Sequence, residues 1–135
     1  MTVAPGPGAP SRSAGAASPE ALAALFMEHY ARGDLAALVG LYEDDAVFVP
    51  DADHPVSGRA ALAATFGAMR ERGVHIDLQV RGVRSTSDVA LLLTTASVRG
   101  AGEDRVTQTA VVARRHADGG WRYVIDDPTY VASAR

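Results

Sequence analysis

"ERGVHIDLQVRGVRSTS", residues 71–87, contains the change of period on which the fold turns. Before Gly73, apolar residues recur at helical spacing: Leu62, Phe66 and Met69 lie along one side of "GRAALAATFGAMRERG" (58–73), and the glycine closes that helix. After it, Ile76, Leu78 and Val80 alternate with His75, Asp77, Gln79 and Arg81, the two-residue period of a strand with one buried face. Gly82 interrupts the alternation, which predicts a bulge before the strand resumes to about Ser87.

Toward the C-terminus, "VALLLTTASVRG" (89–100), "RVTQTAVVARR" (105–115) and "WRYVIDD" (121–127) continue the strand pattern, separated by the turns "AGED" and "HADGG". Toward the N-terminus, "SPEALAALFMEHYARGD" (18–34) predicts a helix. Ser18 suits its N-cap, Pro19 its first turn, and Leu22, Leu25, Phe26 and Tyr30 form one apolar stripe. Gly33 stops it, and Asp34 caps a shorter second helix carrying Leu35, Leu38, Val39, Leu41 and Tyr42. A short strand, Ala46 to Val49, then runs into the loop "PDADHP" (50–55). The predicted class is α+β, a curved four-stranded antiparallel sheet wrapped around three N-terminal helices. Residues 1–17, rich in Pro, Gly, Ala and Ser, read as a disordered tail, and 18–135 as a single domain.

A chain of 135 residues suits one domain. Its net charge of -3 and dispersed arginines lack the stripe that nucleic acid requires. Cysteine is absent, which excludes disulfide frameworks and thiol nucleophiles. No run approaches the ~20 apolar residues of a membrane span, and the N-terminus lacks the apolar segment of a secretory signal, so a cytoplasmic location is expected. All thirteen Lys+Arg residues are arginine, a usage that suggests a GC-rich genome such as an actinobacterium's. The glycines of "APGPGAP" precede no helix, and no serine sits in a nucleophile elbow, so no cofactor and no serine triad are expected.

The stretches "ARGDLAALVGLYEDDAVFV" (31–49), "SGRAAL" (57–62) and "ARRHADGGWRYVIDDP" (113–128), with the element order, resemble the nuclear-transport-factor-2-like superfamily over residues 19 to about 130. That superfamily includes ketosteroid isomerases, SnoaL-type polyketide cyclases and limonene-type epoxide hydrolases. The resemblance implies a conical pocket whose mouth is lined by the first helix, the loop after the first short strand and the far end of the sheet. It also implies a homodimer through the outer face of the sheet. Ketosteroid isomerases use an Asp base, a helix-borne Tyr and a protonated Asp. Carried over, those positions fall on Pro50, with Asp51 one residue later, on Phe26, and near Val111. None of Pro50, Phe26 and Val111 has a proton to move, so steroid isomerisation proper is not expected.

The same alignment turns Arg122, Val124 and Asp126 toward the pocket, and Trp121, Tyr123, Ile125 and Asp127 toward a partner subunit or a covering element. Asp126 is then the candidate acid/base, against the plainer reading that it caps the strand or pairs with an arginine. Tyr30, one turn after Phe26, is expected to reach the cavity with its hydroxyl toward the mouth, or else to sit at the core boundary. Asp51 or His54 is the candidate second shuttle at the rim. Phe26, Pro50, Thr109, Val111, Arg122 and Val124 are the candidate substrate contacts. Asp51, Asp53 and His54 are too few for a zinc site, so no metal is expected. The expected function is cofactor-independent acid/base isomerisation, cyclisation or epoxide opening of an apolar biosynthetic intermediate; the rival is a non-catalytic ligand-binding or dimerisation module.

Overall fold

The computed structural model describes residues 15–102 and 104–129. Helix α1 (Ala21–Arg32) begins where the Ser18 Oγ accepts from the Ala21 N–H at 3.3 Å, and ends at Gly33, whose φ of 74° only glycine adopts readily. Asp34 accepts from the Ala37 N–H and starts α2 (Leu35–Val39). This helix is shorter than the apolar spacing predicts. Leu41 leaves it because its carbonyl accepts from the Tyr123 N–H at 2.7 Å, and Tyr42 opens strand β1 (Tyr42–Phe48). Pairing with a distant strand overrides the local helical pattern there.

Strand β2 (Val56–Ser57) pairs back onto β1, and Gly58 leads into α3 (Arg59–Glu71). Then follow β3 (His75–Ser85), β4 (Val89–Arg99), β5 (Arg105–Arg115) and β6 (Trp121–Asp127). The β3 register shifts between Val80 and Gly82, at the predicted interruption. The sheet has six strands in the order β2-β1-β6-β5-β4-β3, rather than the four expected. The antiparallel meander β3 to β6 is present, and β1 adds to it parallel to β6. Without β1, strand β6 would present an unpaired edge.

Helices α1 and α3 pack on the inner face of this sheet. Phe66, fully buried, centres the core: its ring meets Phe26 edge-on at 5.4 Å, Phe48 at 4.8 Å and Tyr42 at 5.9 Å between centroids. Truncating such a ring to alanine costs about 3–5 kcal/mol. Residues 1–14 of the expected tail lie outside the described residues. Its last part is paired, since Ala16 bridges Trp121 through two backbone hydrogen bonds of 2.9 and 2.8 Å and is buried beneath it. The ordered unit therefore starts at least as early as Gly15. Among the described residues, no helix is long and apolar enough to cross a membrane.

Candidate active site

Between the helices and the inner sheet face lies a cavity of about 800 Å³. Its closed end is walled by Phe26, Phe48, Phe66, Leu92 and Tyr123, all buried, and its open end by exposed residues including Asp51, Arg72 and Arg105. Asp126 is the carboxylate in the apolar part of the wall.

A bulge in β6 puts it there. Tyr123 faces Ala113, whereas Val112 faces Ile125, so Val124 is an extra residue with no partner on β5. An extra residue reverses the alternation beyond it. Before the bulge the odd residues Trp121 and Tyr123 point inward; after it the even residue Asp126 does, opposite Val111. Of the three residues expected to face the pocket only Asp126 does, while Ile125 and Asp127 keep their expected outer face. Arg122 and Val124, expected as pocket contacts, do not line the cavity. Arg122 lies opposite Arg114 and pairs with Asp118 at 3.0 Å. Trp121 and Tyr123, expected outside, are inside, Trp121 being covered by Ala16 of its own chain. Asp127 remains on the outer face, where its Oδ1 accepts from the Thr129 N–H at 2.8 Å and hydroxyl at 2.7 Å.

Removal from water raises the Asp126 carboxyl from its ordinary 3.8 to about 6; the Tyr42 hydrogen bond opposes this, and the charge of Asp127 adds to it. The bond is short: the Tyr42 hydroxyl donates to Asp126 Oδ2 at 2.8 Å. Tyr42 is fully buried, and burial with the adjacent carboxylate pushes its own pKa well up, so it stays a donor. Its backbone carbonyl is gripped by the Arg59 guanidinium, Nε at 3.1 Å and Nη2 at 2.6 Å, while Arg59 also pairs with Asp44 at 3.0 Å. Tyr123 packs its ring 4.8 Å from Tyr42. Its hydroxyl has no hydrogen bond to any described residue, and burial and the Asp126 charge push its pKa well up. One carboxylate is thus held by a buried tyrosine whose ring packs against a second, and that second tyrosine also lines the cavity.

Neither tyrosine is among the site residues that the sequence predicts. The apolar spacing carries the second helix through Tyr42, although Gly40 is a stop signal. Unbroken alternation from an inward Asp126 turns Tyr123 outward, and the extra residue Val124 is what lets both face inward.

The other candidates separate. Phe26, Pro50, Thr109 and Val111 line the cavity. The Tyr30 hydroxyl does not reach it: it donates to the Val74 carbonyl at 2.7 Å, and the ring stacks on Phe26 at 6.0 Å, which fastens α1 to the turn before β3. Asp51 lines the mouth, exposed, with its carboxyl held below the ordinary value by the Asp53 N–H and by His54. A carboxylate so lowered is a weak base. His54 is exposed, does not line the cavity, and lies 3.6 Å from Asp51.

Residues 23–124 match the model of the SnoaL-like domain. No curated protein sequence matches the chain. Among solved structures, an NTF2-like protein with a cystatin-like fold from Novosphingobium aromaticivorans superimposes with a TM-score of 0.67 at 26% identity, covering 79% of this chain and 75% of that one. A ketosteroid isomerase-like protein from Erwinia carotovora atroseptica gives 0.62 at 21% identity, covering 80% and 89%. A candidate dehydratase of the NTF2-like family from Streptomyces avermitilis gives 0.66 at 19%, covering 80% and 90%. The latter two likenesses show the shared fold.

Proposed function

The chain belongs to the SnoaL-like domain family, within the NTF2-like superfamily, and from that premise we propose that it is a cofactor-independent enzyme of proton transfer on an apolar small molecule, with Asp126 as acid/base. The observation that carries this is a carboxyl in an apolar cavity wall, held by one tyrosine beside a second, with a pKa raised to about 6. A base poised near neutrality takes a proton and returns it within one turnover.

In this reading Tyr42 fixes Oδ2, leaving Oδ1 to the substrate. Oδ1 removes a proton from a carbon next to a carbonyl, and the electron pair moves onto the carbonyl oxygen. The Tyr123 hydroxyl donates to that oxyanion, the kind of interaction that is usually the largest catalytic contribution. Return of the proton from Asp126 to another carbon completes an isomerisation; attack of the enolate on a second carbonyl of the same molecule, with the proton passed to the new alkoxide, completes an aldol cyclisation. Epoxide hydrolysis fits less well, because among the described residues lining the apolar part of the cavity Asp126 is the sole carboxylate. The cavity reads as a substrate site for polycyclic or long-chain apolar compounds.

The test is isotope exchange of acidic C–H protons in D2O, followed by NMR for a panel of polycyclic enones and β-keto esters. Asp126→Asn is expected to slow exchange at least a hundredfold, in the range of general-base contributions. Equal exchange by the variant defeats the assignment. The rival, a non-catalytic binding module, is favoured by Phe26, Pro50 and Val111, which line the cavity without a titratable group; it predicts binding without exchange.

The same reading includes a homodimer. Leu91, Val112 and Ile125 form one row across the outer faces of β4, β5 and β6, with Leu91 and Ile125 exposed. An apolar row of this kind favours burial against a second copy.

A further inference from the structure

The two ends of the cavity differ in chemistry. Inward positions of β5 run Val111, Thr109, Thr107, Arg105, and each faces an inward residue of β4: Leu92, Thr94, Ala96, Val98. Asp126 stands opposite Val111 at the apolar end. Along β5 from Val111 to Arg105 the distance is about 20 Å, at roughly 3.4 Å per residue. Midway, the buried Thr94 hydroxyl makes no hydrogen bond to a described residue. At the open end Arg72, just past α3, lines the cavity; it is exposed and forms no ion pair among the described residues. Asp51 is also at the mouth, but it follows β1, far from β3 in the strand order, and its carboxylate is engaged by the Asp53 N–H and His54.

Building on the reading of this cavity as the substrate site, we propose that the substrate is an elongated amphiphile with an anionic group, a carboxylate or a phosphate, about 20 Å from the atom that reacts at Asp126, and that Arg72 holds that group at the mouth. The apolar body gains from leaving water as it enters the aromatic end. The anion stays at the rim, partly hydrated, and avoids the cost of burying a charge. The reverse orientation would bring the anion against the carboxylate of Asp126, where the described residues of the wall offer no cation. Arg72 is thus a specificity residue that selects ligands by charge and sets which end enters.

The experiment compares 11-(dansylamino)undecanoic acid with its methyl ester, titrated by dansyl fluorescence against the full chain. The wild type is expected to bind the acid roughly fivefold more tightly, the scale of a partly solvated ion pair. Arg72→Gln removes that preference while leaving ester affinity unchanged; Arg72→Lys retains it. Dodecanoate and dodecyl phosphate displace the probe better than dodecanol does, and the better of the two names the head group. Equal binding of acid and ester, a preference that survives Arg72→Gln, or displacement by dodecanol as strong as by both anions overturns the inference while the cavity remains a ligand site. If neither probe binds, the substrate-site reading falls as well.

Discussion

Replacing Asp126 by asparagine keeps the shape of the side chain and an oxygen for Tyr42, and removes the charge. In the folded chain the carboxyl titrates at about 6 and in the unfolded chain near 3.8. The folded state therefore binds more protons across that window, and its stability falls as pH rises through it. The gap, at about 1.4 kcal/mol per pKa unit, corresponds to roughly 3 kcal/mol. Asp126 is partly exposed to cavity water, which screens the effect to about 1–2 kcal/mol. At pH 4 the two proteins should unfold with nearly equal free energy. At pH 8 Asp126→Asn should be the more stable by about 1–2 kcal/mol, which for a chain of this length raises Tm by roughly 3–4 °C per kcal/mol. Urea unfolding at half-unit steps between pH 4 and 8 reads the difference directly, because other titrating groups cancel between the two proteins. A gap that is constant with pH, or a wild type that gains on the variant as pH rises, would refute the claim that the cavity holds a destabilised carboxylate.

Tyr42→Phe removes the one hydroxyl that favours the ionised form of Asp126; the Asp126 carboxyl, followed by carbon-13 NMR, should titrate at higher pH than in the wild type, with a stability loss of about 1 kcal/mol. Burial pushes the Glu43 carboxyl up, but the bonds its Oε2 accepts from Arg114 at 2.7 Å and His116 at 2.9 Å outweigh this and lower it. A lowered carboxyl contributes stability that is present at neutral pH and lost in acid. Glu43→Gln should therefore cost about 1 kcal/mol at pH 7, and the cost should shrink as pH falls through the lowered pKa of Glu43, by the same unfolding series. Ile125→Glu, in the outer apolar row, should convert a sedimenting dimer to monomer without altering the circular dichroism of the fold; unchanged sedimentation of a dimer would place the interface elsewhere.

The change of period at Gly73 was enough to divide helices from meander, because each β strand after it buries one face and side-chain alternation records that directly. Two features were not written in local pattern. Tyr42 sits in a segment whose apolar spacing suits a helix, and it becomes a strand because β6, some eighty positions later, offers its backbone to Leu41 and Phe48's neighbour Val49. No local preference encodes a parallel pairing between such distant segments. The bulge at Val124 is equally silent, since Val is as good a residue in regular alternation as in a bulge. Yet the site depends on both. With regular pairing, Tyr123 and Asp126 would lie on opposite faces of β6, and the carboxylate would have no tyrosine beside it on its own strand. The bulge places a phenol and a carboxyl, separated by two intervening residues, on the same wall, and β1 delivers the second phenol against them. A strand that must present two groups at odd separation to one cavity has to break its own period, so the irregularity that defeated the alternation argument is the feature that assembles the site.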